Sequence, residues 1–465
     1  MVALSVFVLP VSSAFGEGSA TVNLGPESAV RDGLAVANPG GGLRTTLDVY
    51  AQAGEKIQLG NSLVGLGEAD ILVFAPGADP TTSTPILDCG VAQPGAGLIE
   101  SRAQELAGPQ PNVGGYEPCE LPVTADGTYT VVMVGASTEN GSPGTVAEPN
   151  TTITQGRTAS MWDVTVRNAA GAVQPGRVFS FSPQFRTGVE EANDFQAYVY
   201  TRTGYEYRVR FYEQAGVNWI LAPDDLGVID TKTGERLFAS FAYGEESNPD
   251  INRPQVYFEA ELAPASRSYP VFFDAVDPIV ISGPGGLAET SGYATSPISP
   301  ASNPLASSFT GSEGQGGQTN YAKGGTVKIS SPAQMAGLGY DLTIDTNGDG
   351  TFGDGSDVTA KGELTSTGST YAWNGRDAAG TLVPCGTYPY QVRSTLSEVH
   401  FAMNDVENSG GTEIERISLP TDSQLGNPRA ASYNNIDPLQ GFRRHQRLAG
   451  GGQGRPERSR LQRLE

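Results

Sequence analysis

The chain has 465 residues, which is enough for about three domains at roughly 150 residues each. Its formal net charge of −22 argues against a nucleic-acid partner, because phosphate binding requires clustered Lys and Arg side chains. The 60 glycines and 32 prolines separate short runs rich in Val, Thr and Tyr. This composition predicts an all-β protein.

The first residues of the chain are apolar. The run from Val2 to Val11 is followed by small residues, and cleavage after Ala14 or Gly16 satisfies the small-x-small rule of secretory signal peptides. We therefore predict a signal peptide over residues 1–16, with a truncated n-region, and an exported protein. The alternative is a hydrophobic first strand. No other segment reaches the ~18 apolar residues of a membrane span.

A first β-sandwich domain is predicted over residues 17–174. In the run TLDVYA, Leu47, Val49 and Ala51 alternate with more polar residues, as in a half-buried strand. The segments AGEKIQLG, ADILVFAPG and LPVTADGTYTVVM resemble the β-sandwich modules of the pre-peptidase C-terminal type, which are appended to secreted bacterial proteases. The resemblance implies a fold and no particular chemistry.

The three cysteines fit an exported protein. We predict a disulfide between Cys89 and Cys119, which would stabilise the fold by about 3–4 kcal/mol, and an unpaired thiol at Cys385. The alternative is three free thiols in a reducing compartment. Between the first two cysteines, GLIESRAQELAGP predicts a helix that Gly108 and Pro109 end. The apolar residues that share one face of this helix are Ile99, Ala103 and Leu106.

A second β domain is predicted over residues 175–281. Two strands surround Thr203-Gly204, and a row of residues on the second strand falls on one face. This row consists of Tyr205, Tyr207, Val209 and Phe211. Such a row forms either a carbohydrate platform, with Tyr205 and Tyr207 as the candidate ligand residues, or the core face of a sheet. The core is favoured, because aromatic cross-strand pairs stabilise sheets.

Residues 282–323 are rich in Ser, Gly, Pro and Ala, and we interpret them as a linker with at most one short strand. Residues 324–420 contain six strand-like runs. Among them, the segment YAWNGRDAAGTLVPCGTYPYQVR has a Trp at a strand end, an Asn-Gly pair and a Gly-Thr-Tyr before the next strand. Asn-Gly supplies the positive φ that a tight hairpin turn needs, so this segment predicts paired strands.

This segment resembles the Ig-like domain of flagellar-hook-capping proteins and of many bacterial surface proteins. The matching positions are Trp373, Asn374, Gly375, Asp377, Gly380, Gly386, Thr387 and Tyr388. The one departure is Cys385, where the family usually has a small residue such as Ala or Ser. The resemblance implies an Ig-like fold, and such folds host many functions. Together with the two preceding β domains, it predicts an all-β protein of tandem β-sandwich domains, Ig-like or jelly-roll-like, with a Gly/Ser/Pro-rich linker. More broadly, the β modules over residues 17–436 resemble large exported, adhesin-like proteins of bacterial surfaces.

The stretch DTNGDGTFGDGSD, at residues 345–357, is the main candidate site. Asp345, Asn347 and Asp349 occupy positions 1, 3 and 5 of an EF-hand loop, but position 12 is Ser356 instead of the bidentate Glu. Residues alternate in polarity on both sides, so the loop ends a β-hairpin and is not an EF-hand.

Calcium can still bind such a loop, because it accepts six to eight oxygen ligands in flexible geometry. The candidate ligands are Asp345, Asn347, Asp349, the Thr351 carbonyl, Asp354 and Asp357. We predict weak, structural Ca²⁺ binding suited to extracellular calcium. The alternative is a solvated acidic turn, because Asn, Asp and Gly favour turns without metal. A zinc site is not expected, since His400 is the one histidine before the tail.

The sequence carries no motif of nucleophilic, zinc-protease or phosphate-loop chemistry. His400 lies in a strand-like run and is interpreted as structural. Acidic pairs such as those in VEEAND and PDDLG are interpreted as surface, although paired carboxylates can serve a glycosidase. We therefore expect no enzymatic activity.

The last residues differ in composition from the rest. Residues 421–465 are predicted to be an unstructured tail, and residues 441–465 hold seven Arg and two Glu. The abrupt change after Asp437 indicates a segment translated out of frame, so the chain would be a fragment of a longer protein. The alternative is a basic tail that binds a partner.

These observations predict a non-catalytic protein, secreted or at the bacterial cell surface, with a structural or adhesive role. The expected partners are extracellular proteins or glycans, without nucleic acid or a membrane span, and the sequence does not indicate an oligomeric state. The alternatives are a carbohydrate-binding protein, which would depend on Tyr205 and Tyr207, and the accessory portion of a secreted hydrolase.

Overall fold

Antiparallel β-sheets make up most of the protein, as the sequence predicts. The structure, a computed structural model, describes sixteen segments of the chain. They are residues 16–24, 32–37, 45–63, 70–135, 158–186, 193–214, 219–224, 269–298, 305–313, 317–319, 321–331, 339–395, 399–404, 410–417, 435–437 and 441–443. None of the helices in these segments is long and apolar enough to cross a membrane.

The largest sheet has ten strands. In spatial order its main path runs through β25 (Gly411–Arg416), β15 (Glu206–Gln214), β14 (Asn193–Tyr200), β17 (Val271–Phe272), β12 (Val178–Ser180), β4 (Leu47–Ala51), β9 (Gly127–Val134), β6 (Asp70–Phe74) and β7 (Leu87–Asp88). The tenth strand, β2 (Asn23–Leu24), pairs with β14. This sheet therefore joins strands from the beginning, the middle and the end of the chain.

Two smaller antiparallel sheets accompany it. The four-stranded sheet contains β1 (Glu17–Gly18), β11 (Trp162–Arg167), β5 (Lys56–Asn61) and β8 (Cys119–Pro122). The five-stranded sheet contains β10 (Thr158–Ala159), β3 (Gly33–Ala35), β13 (Gln184–Arg186), β16 (Trp219–Asp224) and β24 (His400–Asn404).

One hydrophobic core connects these three sheets. Its aromatic centre includes Trp162 against Phe273, with ring centroids 5.0 Å apart, and Trp219 against Phe185 at 4.8 Å. Each fully buried side chain of this kind contributes roughly 1.5–3 kcal/mol. The core takes residues from both 17–174 and 175–281, so the predicted boundary at residue 174 does not separate two cores in the described segments.

Five short helices connect the strands of the described segments. They are α1 (Ser19–Val22), α2 (Cys89–Ala92), α3 (Arg102–Ala107), α4 (Pro278–Ser282) and α5 (Leu287–Ser291). The predicted helix corresponds to α3, which Ser101 caps by accepting the N–H of Gln104 at 3.3 Å. Its buried residue is Glu105, whereas Leu106 is 37% exposed and the buried Ile99 precedes the helix. The predicted apolar face is therefore wrong.

A second core lies in a separate β-sandwich of two three-stranded sheets. One sheet contains β18 (Ala306–Gly311), β19 (Gly325–Ser330) and β22 (Ser369–Trp373), and the other contains β21 (Val358–Glu363), β20 (Gly339–Ile344) and β23 (Tyr390–Thr395). Their inner faces enclose a cluster that includes Val327, Leu342 and Trp373. We call residues 305–395 the inserted module.

The chain returns from this module to the first core. Strand β24 pairs with β16 and β25 pairs with β15, and Ile414 belongs to the first core cluster. We therefore call the described residues of 16–298 and 399–417 the body. The predicted domain 324–420 differs in both limits, because β18 precedes it and its last two strands belong to the body.

The predicted linker 282–323 is also partly folded. Leu287 and Tyr293 are buried in the core of the body, and the hydroxyl of Tyr50 donates to the carbonyl of Pro284 at 3.1 Å. Ser, Gly and Pro make such a segment hydrophilic on average, but its few apolar side chains suffice to dock it.

The predictions for the two ends of the chain concern residues that lie mostly outside the described segments. The predicted signal peptide lies outside them except for Gly16. In the predicted unstructured tail, a two-stranded ladder joins β26 (Asn435–Asp437) to β27 (Gly441–Arg443), so this part is paired. The remainder of the tail lies outside the described segments.

The insertion can be tested by excision. The two connections between body and module, which we call the crossings, both lie near the start of β15. The Tyr205 hydroxyl is 3.0 Å from the Ile298 carbonyl oxygen, and the Tyr207 and Phe401 ring centroids are 6.0 Å apart. We expect a protein in which about six Gly/Ser residues replace 299–398 to fold, because a linker of this length spans roughly 13 Å. Ending the chain after Thr395 removes β24 and β25 and should abolish cooperative unfolding. Melting followed by circular dichroism distinguishes the two variants, and equal stability of both would contradict the insertion.

Candidate functional site

The strand register of the inserted module places the acidic loop 345–357 away from the body. Gly339 of β20 lies opposite Thr395, where the chain leaves the module. At the other end of the same strand, Ile344 lies opposite Val358 and Tyr390. The loop that follows Ile344 therefore lies at the end remote from residue 395.

In the other sheet of the module, the chain likewise enters at one end and the loops lie at the opposite end. Ala306, where the chain enters the first strand, lies opposite Ser330, and Gly325 lies opposite both Gly311 and Trp373. The short connection 364–368 links β21 to β22, so the two sheets end together. Loops 312–324, 345–357 and 374–389 consequently share one end of the sandwich, which we call the distal end.

The three loops are in contact. The N–H of Asp345 donates to the carbonyl of Pro389 at 2.9 Å, and the N–H of Ala378 donates to the carbonyl of Ser356 at 3.2 Å. A Cβ added to Gly324 would lie 1.9 Å from the Trp373 carbonyl oxygen, so loop 312–324 lies directly against the end of β22. The distal end is therefore a continuous surface.

Two aspartates close the acidic loop from inside. Asp345 is fully buried, and its two carboxylate oxygens accept the N–H groups of Gly348 at 2.6 Å and Gly350 at 2.9 Å. Asp357 is 3% exposed and accepts the N–H groups of Thr346 at 3.1 Å and Gly353 at 2.8 Å. Hydrogen bonds to a charged acceptor contribute roughly 1.5–3 kcal/mol each, so these two residues hold the loop shape.

Positive φ angles make glycine necessary within the loop. Gly348 has φ 74° and Gly350 has φ 81°, a conformation that L side chains rarely adopt. The turn that these glycines form presents successive N–H groups to Asp345.

The other predicted ligands lie on the outer side of the loop, where Asn347, Asp349 and Thr351 are exposed and Asp354 is half-buried. The Asn347 amide donates to a carboxylate oxygen of Asp349 and to one of Asp354, both at 3.0 Å. Hydrogen bonds from the hydroxyl and the N–H of Ser356 lower the pKa of Asp354. Thr351 donates its N–H to Asp349 at 2.6 Å.

The predicted calcium ligands thus divide into two residues whose carboxylates are turned into the loop, Asp345 and Asp357, and four residues on its outer side. In the described segments, no group of three or more His, Cys, Asp or Glu side chains is arranged to hold a metal ion. Calcium binding stays a prediction, and the hydrogen bonds of the loop equally suit the alternative of a stable acidic turn.

The residues of the Ig-like motif build the neighbouring loop. The Trp373 indole donates to the carbonyl of Arg376 at 2.8 Å, and Asn374 accepts the N–H of Arg376 at 3.1 Å. The Tyr388 ring lies against Trp373, with centroids 5.9 Å apart. Cys385 is free and exposed, as predicted.

Exposed apolar side chains also lie at the distal end. Tyr321, in loop 312–324, is 60% exposed, and Phe352, in the acidic loop, is 36% exposed. These two rings are the aromatic groups at this end that are open to a partner. Sequence reasoning missed them, because neither belongs to an alternating pattern.

The predicted carbohydrate platform is not on the surface. Tyr205 is 1% exposed and Tyr207 is 2% exposed, and both belong to the core of the body with Val209 and Phe211. The core interpretation of this row, which the sequence favoured, agrees with the structure. Neither ring offers a face to a sugar.

The predicted disulfide is confirmed. Cys89 and Cys119 are bonded and connect the start of α2 to the strand β8 at the edge of the four-stranded sheet. The disulfide closes a loop that contains α3, so the bond restrains the position of α3 relative to that sheet.

Sequence reasoning also missed a buried group of polar side chains around α3. The Ser19 hydroxyl donates to the Glu105 carboxylate at 2.5 Å, and the Trp162 N–H donates to Ser19 at 2.9 Å. Burial raises the pKa of Glu105 to about 7, despite the nearby charge of Arg102. The group ties the first described residues to α3 and β11.

Asp163 completes this buried group. It accepts the Tyr116 hydroxyl at 2.7 Å and the Thr165 hydroxyl at 3.0 Å. Burial raises its pKa to about 6, and the charge of Glu105 acts in the same direction. No local pattern reveals this group, because its members come from four distant segments.

The structure says little about the residues that were considered for catalysis. His400 lies on β24, and its side chain is outside the described residues. The acidic pairs of VEEAND and PDDLG fall largely outside the described segments. Comparison with family models, with curated proteins and with solved structures finds no match to this chain.

The two classes of loop aspartate predict different mutational effects. Asp345→Asn should destabilise the module by about 2 kcal/mol with or without calcium, because it disrupts the bonds to Gly348 and Gly350. Asp349→Asn should leave stability in chelator unchanged and abolish any gain in Tm from millimolar calcium. Calorimetry in chelator and in calcium measures both, with Asp341→Asn on β20 as control. If calcium does not change the wild-type Tm, the loop is a turn without metal.

The raised carboxyl pKa values predict greater stability in acid. Folded Glu105, with a pKa of about 7, and Asp163, with a pKa of about 6, hold protons more tightly than the unfolded chain, whose Glu pKa is near 4.5. Burial raises the pKa of Glu17 in the same direction. This stability is fully present below about pH 4 and is lost as pH rises through 6 to 7.

Glu105→Gln tests this dependence. The variant should match the wild type at pH 4 and should reduce the loss of stability between pH 4 and pH 8 by about 3 kcal/mol. Chemical denaturation across this range measures it. Glu100→Gln, a change at an exposed position of the same connection, is the control and should follow the wild type. An unchanged pH profile in Glu105→Gln would contradict the assignment.

Proposed function

We propose that this is an exported, non-catalytic β protein with a structural or adhesive role at a bacterial surface, in which the inserted module presents its distal end to an extracellular protein or glycan. The observation that carries the proposal is the polarity of the module. The chain enters and leaves it at one end, and three contacting loops lie at the other.

The chemistry of the distal end supports binding. Tyr321 and Phe352 provide exposed aromatic surface, and aromatic side chains dominate the energetics of many protein interfaces. Asp349 and Asp354, in the same loop as Phe352, add negative charge to the distal end, which favours partners with basic groups. The rigid turn closed by Asp345 would present these side chains without a large ordering cost on binding.

The disulfide supports export. Cys89 and Cys119 form a bond that persists in an oxidising compartment such as the bacterial periplasm or the cell exterior. Calcium at residues 345–357 belongs to the same proposal as a structural ion that would stiffen the distal end. A sugar platform at Tyr205 and Tyr207 has no support from their burial.

Adhesion measured with paired variants tests the proposal. Full-length protein on beads should be retained on at least one of collagen, fibronectin and mucin, and Tyr321→Ser with Phe352→Ser should reduce retention roughly tenfold or more, because exposed aromatic anchors carry much of the binding energy. The control changes two exposed apolar residues of the body, Val91→Ser with Val113→Ser, which are 77% and 99% exposed. Equal loss in both variants, or no retention of the wild type on any surface, would count against adhesion through the distal end.

A further inference from the structure

Residues 16–24, which we call the strap, connect two sheets of the body. At its start, Glu17 and Gly18 of β1 pair with the edge of β11 in the four-stranded sheet. At its end, Asn23 and Leu24 of β2 pair with β14 of the ten-stranded sheet. Each ladder is two residues long, so backbone pairing alone holds the strap weakly.

The strap also buries little apolar surface. Val22 is its one side chain in the hydrophobic core of the body, whereas β11 contributes Trp162, Val164 and Val166. Burial of one valine contributes roughly 1.5–3 kcal/mol. A segment with few buried apolar contacts opens at a lower free energy than the whole fold. The strap can therefore open while the body stays folded.

Polar contacts with buried carboxyl groups hold the strap in place. The Ser19 hydroxyl donates to the carboxylate of Glu105 at 2.5 Å. Glu17 turns its own side chain inward, where its carboxylate accepts the N–H of Arg177 at 2.8 Å and that of Val178 at 3.1 Å. Both carboxyl groups are buried.

A third carboxyl group, that of Asp163, lies beneath the start of the strap. A Cβ added to Gly16 would lie 2.3 Å from Oδ1 of Asp163, so the backbone of the strap packs directly on this buried carboxylate. When the strap opens, water reaches Glu105, Asp163 and Glu17 together.

Charged groups of the neighbouring elements face these three carboxyl groups. An arginine lies near each of them, and the pairs are Glu105 with Arg102 of α3, Asp163 with Arg167 of β11, and Glu17 with Arg177, next to β12. Arg177 also pairs with Glu55 and Asp277. Like charges add to the cost of ionisation, because Glu105 faces Asp163 and Asp274 faces Glu17.

Burial outweighs the three arginines. It raises the pKa of Glu105 to about 7, that of Asp163 to about 6, and that of Glu17 well above its usual value. The closed strap therefore favours the protonated form of all three groups.

We propose that the strap is a pH-dependent closure of the body: it stays in place while Glu105 and Asp163 are protonated, and it opens, with the body still folded, when they ionise. Under the closed strap an ionised carboxylate lacks its water shell, and the hydroxyls of Ser19, Tyr116 and Thr165 replace that shell only in part. Opening leaves the edge of β11 unpaired, where another strand can pair. The device belongs to the body and is independent of the distal end.

The direction of the pH dependence follows from the raised pKa values. Once the strap is open, Glu105 and Asp163 return towards their usual pKa values near 4. Closure is therefore most stable below about pH 4 and weakens as the pH rises through 6 to 7. Between pH 5 and pH 8, the equilibrium constant for opening should increase roughly a hundredfold.

Hydrogen exchange of the full-length protein, followed by mass spectrometry at pH 5 and pH 8, tests the closure. Rates are corrected for the pH dependence of chemical exchange. The reference is β9, which is paired on both sides with β4 and β6. From pH 5 to pH 8, the protection of residues 16–24 should fall roughly a hundredfold, to far below that of β9.

Two variants assign the effect. Glu105→Gln keeps an acceptor for Ser19 and cannot ionise, so its strap should lose much less protection at pH 8. Glu100→Gln changes an exposed residue of the same connection and should follow the wild type.

Each outcome decides the proposal. A wild-type strap that is as well protected as β9 at pH 8 opens only with the whole body, which overturns a separate closure. Protection of the strap that does not depend on pH overturns it as well. A Glu105→Gln strap that opens as in the wild type contradicts the role of Glu105. If this variant does not fold, the comparison of strap and β9 in the wild type decides alone.

Discussion

Strands β24 and β25 complete two sheets of the body, and this pairing determines how the whole chain is arranged. β25 forms the outer edge of the ten-stranded sheet next to β15, and β24 forms the edge of the five-stranded sheet next to β16. Because both strands follow the inserted module in sequence, the module has to be attached through two chain crossings. Both crossings meet β15 close to Tyr205 and Tyr207. The orientation of the distal end follows from this attachment.

The body and the module use polar side chains in different ways. In the body, Glu105 and Asp163 are buried at a cost that raises their pKa values. They link segments that are far apart in sequence, and the stability that this link contributes depends on pH. In the module, Asp345 and Asp357 accept hydrogen bonds from backbone N–H groups of their own loop. That arrangement fixes a local shape, because every one of these partners lies within the loop 345–357.

Local patterns predicted the parts of this structure that depend on local physics. The alternation of Tyr205, Tyr207, Val209 and Phe211 is a direct consequence of strand geometry, and all four side chains are in the core. The disulfide of Cys89 and Cys119 follows from their spacing and the expected compartment. The hairpin around residues 345–357 follows from its alternating flanks and its glycines.

Features that depend on distant residues escaped prediction. The sequence predicts strands at HFAM and TEIER. Nothing in these residues indicates that they pair with β16 and β15, which lie far earlier in the chain. The limits of the third domain were wrong for this reason. Glu105 belongs to no apolar pattern of the sequence, and it is held by Ser19, which in turn bonds the backbone N–H of Trp162, so its partners come from other segments. The pairing partner of a strand depends on how all the sheets pack together, and no local pattern in the sequence shows that packing.

Attachment through two crossings has a mechanical consequence. In a chain of modules joined end to end, one cleaved linker releases everything beyond it. Here a cut in either crossing leaves the module connected through the other, and Ile298, which is bonded to Tyr205 and Thr203, still packs against the core of the module. Force applied at the distal end is divided between the two crossings, one anchored at Ile298 and the other leading into the edge strand β24. If the module binds a partner as proposed, this arrangement restrains it more than a single flexible linker does, because its base cannot rotate freely about one chain.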